Sequence, residues 1–187
     1  ESQVTVDGVR YLLPRPFLVI ATQNPVEFLG TYPLPEASLD RFMMRLSIGY
    51  PGREEEIKMV SLALSGQTPD KVEAVCSGED ILKLMDEVHG VKVVEGVLGY
   101  MEDIVSATRQ ESRFVLGASP RALLALMRAS QGRAFFQGRD FVKPDDVKAV
   151  ALQVLCHRVT LSAEARIQKA DAAALLKALI LKIKVPV

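Results

Sequence analysis

Phe17-Leu18-Val19-Ile20-Ala21-Thr22-Gln23-Asn24-Pro25 is the stretch that decides how the chain is read. Five apolar residues in succession, two of them β-branched, describe a strand buried on both faces of a parallel sheet. Pro25 disfavours helical backbone at Asn24 and ends the strand there. Open α/β sheets bind ligands beyond the carboxyl ends of their strands, which puts Asn24 where such chemistry takes place. A neutral amide at that point can orient a water or donate a hydrogen bond to a phosphate. A plain polar strand end running into a turn accounts for the same residues.

Upstream, Val4 to Tyr11 alternates apolar and polar residues around Asp7-Gly8. That dipeptide suits a two-residue hairpin turn with positive φ at both positions. Pro14 and Pro16 end the hairpin. Downstream, Pro25, Gly30, Pro33 and Pro35 mark a loop, followed by a helical turn over Glu36–Phe42 that carries Leu39, Asp40 and Arg41. Residues 43–50 read as a second strand, closed by Pro51-Gly52.

Beyond Pro51 the apolar period becomes helical. Glu54, Glu55 and Glu56 suit a first helical turn, with Ile57, Val60 and Leu64 along one face. Ser77 and Asp80 suit a helix start, with Ile81, Leu82, Met85 and Val88 expected inward and Gly90 as the stop. Val97, Leu98, Met101, Ile104, Val105 and Thr108 mark the next stripe. Ser119-Pro120-Arg121 supplies an N-cap and a proline at the first helical position, with Leu123, Leu124 and Met127 as the expected face, widened by Leu126. Gly132 either ends or weakens this helix, and Gly138 is the firmer stop. Pro144 opens a helix lined by Val147, Val150, Ala151, Val154 and Leu155, although Lys143 caps it poorly. A last helix begins near Asp171, with Leu175, Leu176, Leu179, Ile180 and Ile183 apolar.

Over 187 residues, 49% are hydrophobic and 25% charged, with a formal net charge of zero. This is the composition of a folded chain with a substantial core, and it argues against a dedicated nucleic-acid binder. Cys76 and Cys156 have no CxxC spacing, and a zinc site from Cys76, His89, Cys156 and His157 lacks ligand spacing, so no metal site and a reducing, cytoplasmic setting are expected. No apolar run is long enough to span a bilayer, and residues 1–16 do not read as a signal peptide. The chain opens on Glu1 immediately before a hairpin, as a fragment would.

Together these blocks resemble a known family. Gln3 to Gly8, Phe17 to Pro25, Gly30 to Ala37 with Leu39-Asp40-Arg41-Phe42, then Ser119-Pro120-Arg121-Ala122 and Val142 to Val147, are similar in kind and order to MoxR-family AAA+ ATPases. The resemblance implies an α/β remnant of a AAA+ P-loop core, made of a hairpin and two core strands, followed by an all-α lid, with helix predominating. Residues 1–50 would be the C-terminal part of the ATPase core and 51–187 the lid. It implies that Asn24 is sensor 1, that Arg41 is an arginine finger delivered in trans, and that Arg121 is sensor 2 on the nucleotide phosphates. Arg45 competes with Arg41 for the finger role but falls within the expected second strand.

The resemblance further implies ATP and Mg²⁺ as cofactors of the intact protein, a homo-oligomeric hexameric ring, partners with von Willebrand factor A domains, and chaperone-like remodelling or maturation of protein complexes. No GxxxxGK[ST] motif occurs in the chain. Met85-Asp86-Glu87 lies in a helical rather than a strand pattern, and both Walker motifs of the family lie upstream of the position matching Glu1. The segment alone is therefore expected to bind ATP weakly and not to hydrolyse it. Two other readings stay open: a non-enzymatic helical interaction module, and a different AAA+ branch such as magnesium chelatase or a replicative helicase. A helicase would carry a more basic hairpin than Val4–Tyr11, where Arg10 is the sole cation.

Overall fold

The computed structural model describes residues 3–23, 34–66 and 73–186, with Glu36 described by its backbone alone. Its elements are β1 (Gln3–Val6), β2 (Val9–Leu12), α1 (Glu36–Leu39), α2 (Arg53–Leu64), α3 (Gly78–His89), α4 (Glu95–Gln110), β3 (Phe114–Leu116), α5 (Pro120–Phe136), α6 (Pro144–Leu155), β4 (Thr160–Leu161), α7 (Ala163–Ile167) and α8 (Ala172–Ile180). Two compact units emerge, one from residues 1–17 and 46–83, the other from 18–45 and 84–187.

In the first unit, β1 and β2 pair antiparallel with Val4 opposite Tyr11 and Val6 opposite Val9. Asp7 at φ 50° and Gly8 at φ 80° make the turn that Asp-Gly encodes. α2 starts with its three glutamates as expected, but its apolar residues are open to solvent: Ile57 is 50%, Val60 52% and Leu64 84% exposed. α3 is closed at its start by Ser77 and Asp80, since the Asp80 amide donates to Ser77 Oγ while Asp80 accepts from the Ser77 amide at 2.9 Å and hydroxyl at 2.7 Å. Of its expected inward residues, Ile81 and Met85 are exposed, and Leu82 and Val88 half-buried.

The second unit holds the core. Tyr100, Met101, Ile104 and Val105 of α4, Leu126 of α5, Val147, Val154 and Leu155 of α6, and Leu176 of α8 are all fully buried and in one cluster. The α6 and α8 stripes match the periodicity closely, and Asp171 caps α8 by accepting from the amides of Ala173 and Ala174. On α5 the buried face is Ala122, Leu126, Ala129, Ser130 and Ala134, and Leu124 is 62% exposed. Small side chains let α5 lie close against α6, so alanines and a serine share the inward side with Leu126, while Leu123 and Met127 pack half-buried against the core as expected. β3 and β4 form a short antiparallel pair, Phe114 opposite Leu161.

The two expected core strands are not strands here. Residues 17–21 carry no regular secondary structure, and Phe17, Leu18, Val19 and Ile20 are 51%, 78%, 58% and 81% exposed. A strand exists only with a neighbour to accept and donate its main-chain hydrogen bonds, and no other described segment offers one. Residues 43–50 are likewise unpaired; Met44 instead rests on the helical core, and the Arg45 amide donates to the Gln153 carbonyl at 2.9 Å.

Candidate functional site

Asn24 lies outside the described residues, so the site is built from the residues around Arg41 and Arg121. After α1 the chain turns back on itself, with the Arg41 amide donating to Ser38 and that of Phe42 to Leu39. Arg41 is exposed on this turn, and Asp40 beside it is half-buried. The carboxylate of Asp40 is a meeting point. It accepts from Ser119 Oγ at 3.0 and 3.1 Å, from Arg158 Nε at 3.1 Å, and from Arg121 Nη1 at 3.4 Å.

The fold delivers each of these groups for a local reason. Ser119 has N-cap backbone geometry, yet its hydroxyl makes no cap and goes to Asp40. Thr108 Oγ1 accepts from the Ala118 amide, and Arg109 Nε donates to the Ala118 carbonyl, both at 2.9 Å, so α4 fixes the loop that leads into α5. Gly117 permits that approach, because a Cβ there would stand 2.6 Å from the Arg109 Cα. Arg121 follows Pro120 in the first turn of α5. Its side chain is 57% exposed and its long contact with Asp40 is a weak surface pair. Backbone amides and dipole favour an anion at that helix end, and the guanidinium can grip one bidentately.

Arg158 differs. Its side chain is 1% exposed. Besides Asp40 Oδ1 it donates to the carbonyls of Asp40 at 3.1 Å, Phe42 at 2.6 Å, Met43 at 3.1 Å and Val154. Burial lowers its pKa, partly countered by Asp40. Next to it, His157 Nε2 lies 3.0 Å from the Phe42 carbonyl, an oxygen that accepts only from an Nε2–H tautomer. Among the described residues its Nδ1 is buried without a partner. Burial depresses the His157 pKa, and the charges of Arg158 and Arg45 add to this.

Two guanidiniums, those of Arg121 and Arg158, thus share one carboxylate, and the charge of Arg121 adds to the lowering of the Arg158 pKa. Of the two, Arg121 is the exposed one and can meet an anion such as a phosphate. A divalent cation is another matter: among the described residues no three His, Cys, Asp or Glu side chains gather to hold one. Neither Arg158 nor Asp40 stood out as a site residue in the sequence. The signal was present in the α6 stripe, since Arg158 continues the spacing Val147, Val150, Ala151, Val154 past the helix end.

Residues 1–44 match the model for the ATPase family associated with various cellular activities (AAA), and residues 106–179 match the AAA lid domain. The chain is 43% identical over its whole length to YeaC of Bacillus subtilis, an uncharacterized protein of which it covers 58%. It is 38% identical over 88% of its length to the chaperone MoxR1 of Mycobacterium tuberculosis, covering 46% of that protein. The chain belongs to the MoxR-type AAA+ ATPases. A crystal structure from Cytophaga hutchinsonii, provisionally described as an ATPase, superposes with a TM-score of 0.90 at 35% identity, over all of this MoxR-type chain and 59% of the other. The chain spans about half the length of the curated relatives it matches. The Asp40 cluster is where the two family segments meet, since Asp40 falls in the ATPase match and Ser119, Arg121 and Arg158 in the lid match. No described helix is long and apolar enough to cross a membrane.

Proposed function

We propose that this chain is the sensing and coupling portion of an ATP- and Mg²⁺-dependent MoxR-type ATPase, with residues 1–50 completing the ATPase core and 51–187 forming the lid. Asn24 positions the attacking water, Arg41 reaches the nucleotide of a neighbouring subunit in a homo-oligomeric, hexameric ring, and Arg121 contacts the nucleotide phosphates from the lid. Hydrolysis drives lid motion in chaperone-like maturation of protein complexes in the cytoplasm, with von Willebrand factor A domain proteins as partners. The observation that carries this reading is the turn bearing the exposed Arg41, tied to the lid segment through the bonds of Arg158 to Asp40 and Phe42. Phosphoryl transfer needs little from a protein beyond positioning and positive charge, and an arginine from a neighbour supplies both.

The test is steady-state ATP hydrolysis by the full-length protein. Arg41→Ala should lower kcat by roughly a thousandfold while leaving nucleotide affinity in place, and Arg121→Ala should weaken both. The 187-residue segment by itself should bind ATP·Mg²⁺ weakly in a calorimetric titration; micromolar affinity would overturn that part. The contact between Arg121 and Asp40 is the one observation favouring a non-enzymatic interaction module. No hydrolysis by the full-length protein would select that reading, and unchanged hydrolysis in Arg121→Ala and Arg41→Ala would overturn the roles given to the two arginines.

A further inference from the structure

We infer that Arg158 is a positioning residue for the arginine finger, holding the turn on both sides of Arg41 and so fixing where that side chain leaves the surface. This rests on the reading of Arg41 as a finger delivered in trans. A guanidinium has five N–H groups, and in Arg158 each has an acceptor: Nε–H the Asp40 carboxylate, Nη2 the carbonyls of Asp40 and Phe42, Nη1 those of Met43 and Val154. Four of these five contacts fall on Asp40, Phe42 and Met43, the residues flanking Arg41. His157 adds a second hold on the Phe42 carbonyl.

Packing alone does not call for this arrangement. A buried cation is costly to desolvate, and an apolar side chain of the same size at the end of α6 would seal the core as well. What the guanidinium adds is geometry, because its planar fork sets several acceptors at once. Lysine, with three donors on one rotating centre, cannot reproduce it. Val154, the remaining acceptor, belongs to the buried face of α6, so the turn bearing Arg41 is tied to the lid core and moves with it.

The experiment uses mixed assemblies of the full-length protein. Acceptor subunits carry Arg41→Ala; donor subunits are disabled in their own Walker A motif, so hydrolysis reports donor fingers acting at acceptor sites. Donors with Arg158 intact should restore hydrolysis. Arg158→Met and Arg158→Lys donors that still assemble should restore on the order of tenfold to a hundredfold less, with the acceptors' KM for ATP unchanged. Should Arg158→Met fail to fold, Asp40→Asn serves in its place, since the amide keeps the shape and one acceptor while removing the charge. Arg158→Met or Asp40→Asn donors that restore as well as intact ones overturn the inference. If donors with Arg158 intact restore nothing, the reading of Arg41 falls first and takes the inference with it.

Discussion

Replacing Gly117 by alanine opposes two effects whose sizes can be compared. The new Cβ would stand 2.6 Å from Cα, 2.8 Å from N and 2.9 Å from Cγ of Arg109, where ordinary contact begins at 3.4 Å. Two of these atoms are backbone in the last turns of α4, beside the fully buried Val105 and Thr108, so it is the 117 loop that must retreat, by most of an ångström. Overpacking of this kind costs ~1–3 kcal/mol. The retreat also strains two 2.9 Å hydrogen bonds at Ala118, to Thr108 Oγ1 and from Arg109 Nε; each is worth about 1 kcal/mol. Against this, alanine restricts the unfolded chain and returns ~0.4–1 kcal/mol. The net expectation is a loss of about 2–3 kcal/mol, or about 5–10 °C in Tm for a chain of this size. Gly99 is the control, because nothing lies within 4 Å of its added Cβ in the middle of α4. Gly99→Ala should stabilise by about 0.5–1 kcal/mol. The chain has no tryptophan, so urea unfolding is followed by far-ultraviolet circular dichroism. A Gly117→Ala midpoint equal to that of the parent, or a Gly99→Ala midpoint below it, refutes the reasoning.

Further outcomes follow from other side chains. Asp146 is buried and accepts from Arg139 at 2.6 and 2.8 Å and from the Lys143 amide at 2.8 Å; burial raises its pKa, but these partners outweigh it and the net value lies below 3.8. Its contribution is present above that ordinary value and lost as pH falls through the lowered one, so urea midpoints of the parent and Asp146→Asn should differ near neutrality and converge in acid. For His157 the depressed pKa means that protonation favours the unfolded chain: stability should fall as pH drops below 6.5, and His157→Phe should flatten that limb in the same titration. Leu126→Ala, at a site with 0% exposure, should cost about 3–4 kcal/mol in urea unfolding. Leu124→Ala on the outer side of α5 should cost far less.

The helices were legible wherever their partners are part of the chain. The stripes on α6 and α8 bury as their periods predict, and so does that on α4 apart from Leu98, which is 39% exposed, because each helix packs on the others. On α5 only Leu124 misled: Leu126 is buried and Leu123 and Met127 pack against the core as expected, but Ala122, Ala129 and Ala134 share the inward side. Residues 17–21 have the composition of a doubly buried strand, but composition records a preference for partners and does not supply them. At the site, Arg121 could be found from a three-residue motif. Asp40 as a shared acceptor could not, since Ser119 and Arg158 reach it from positions 79 and 118 residues away.

The uncovered run from Phe17 to Ile20 has a practical cost. Residues 17–23 carry no charge, and their amides and carbonyls offer a ready edge to any second copy of the same sequence. Short, uncharged, β-prone segments of this sort stack on themselves. Handled at high concentration, the polypeptide should cloud or gel from this end first, and one lysine in place of Val19 should keep it clear.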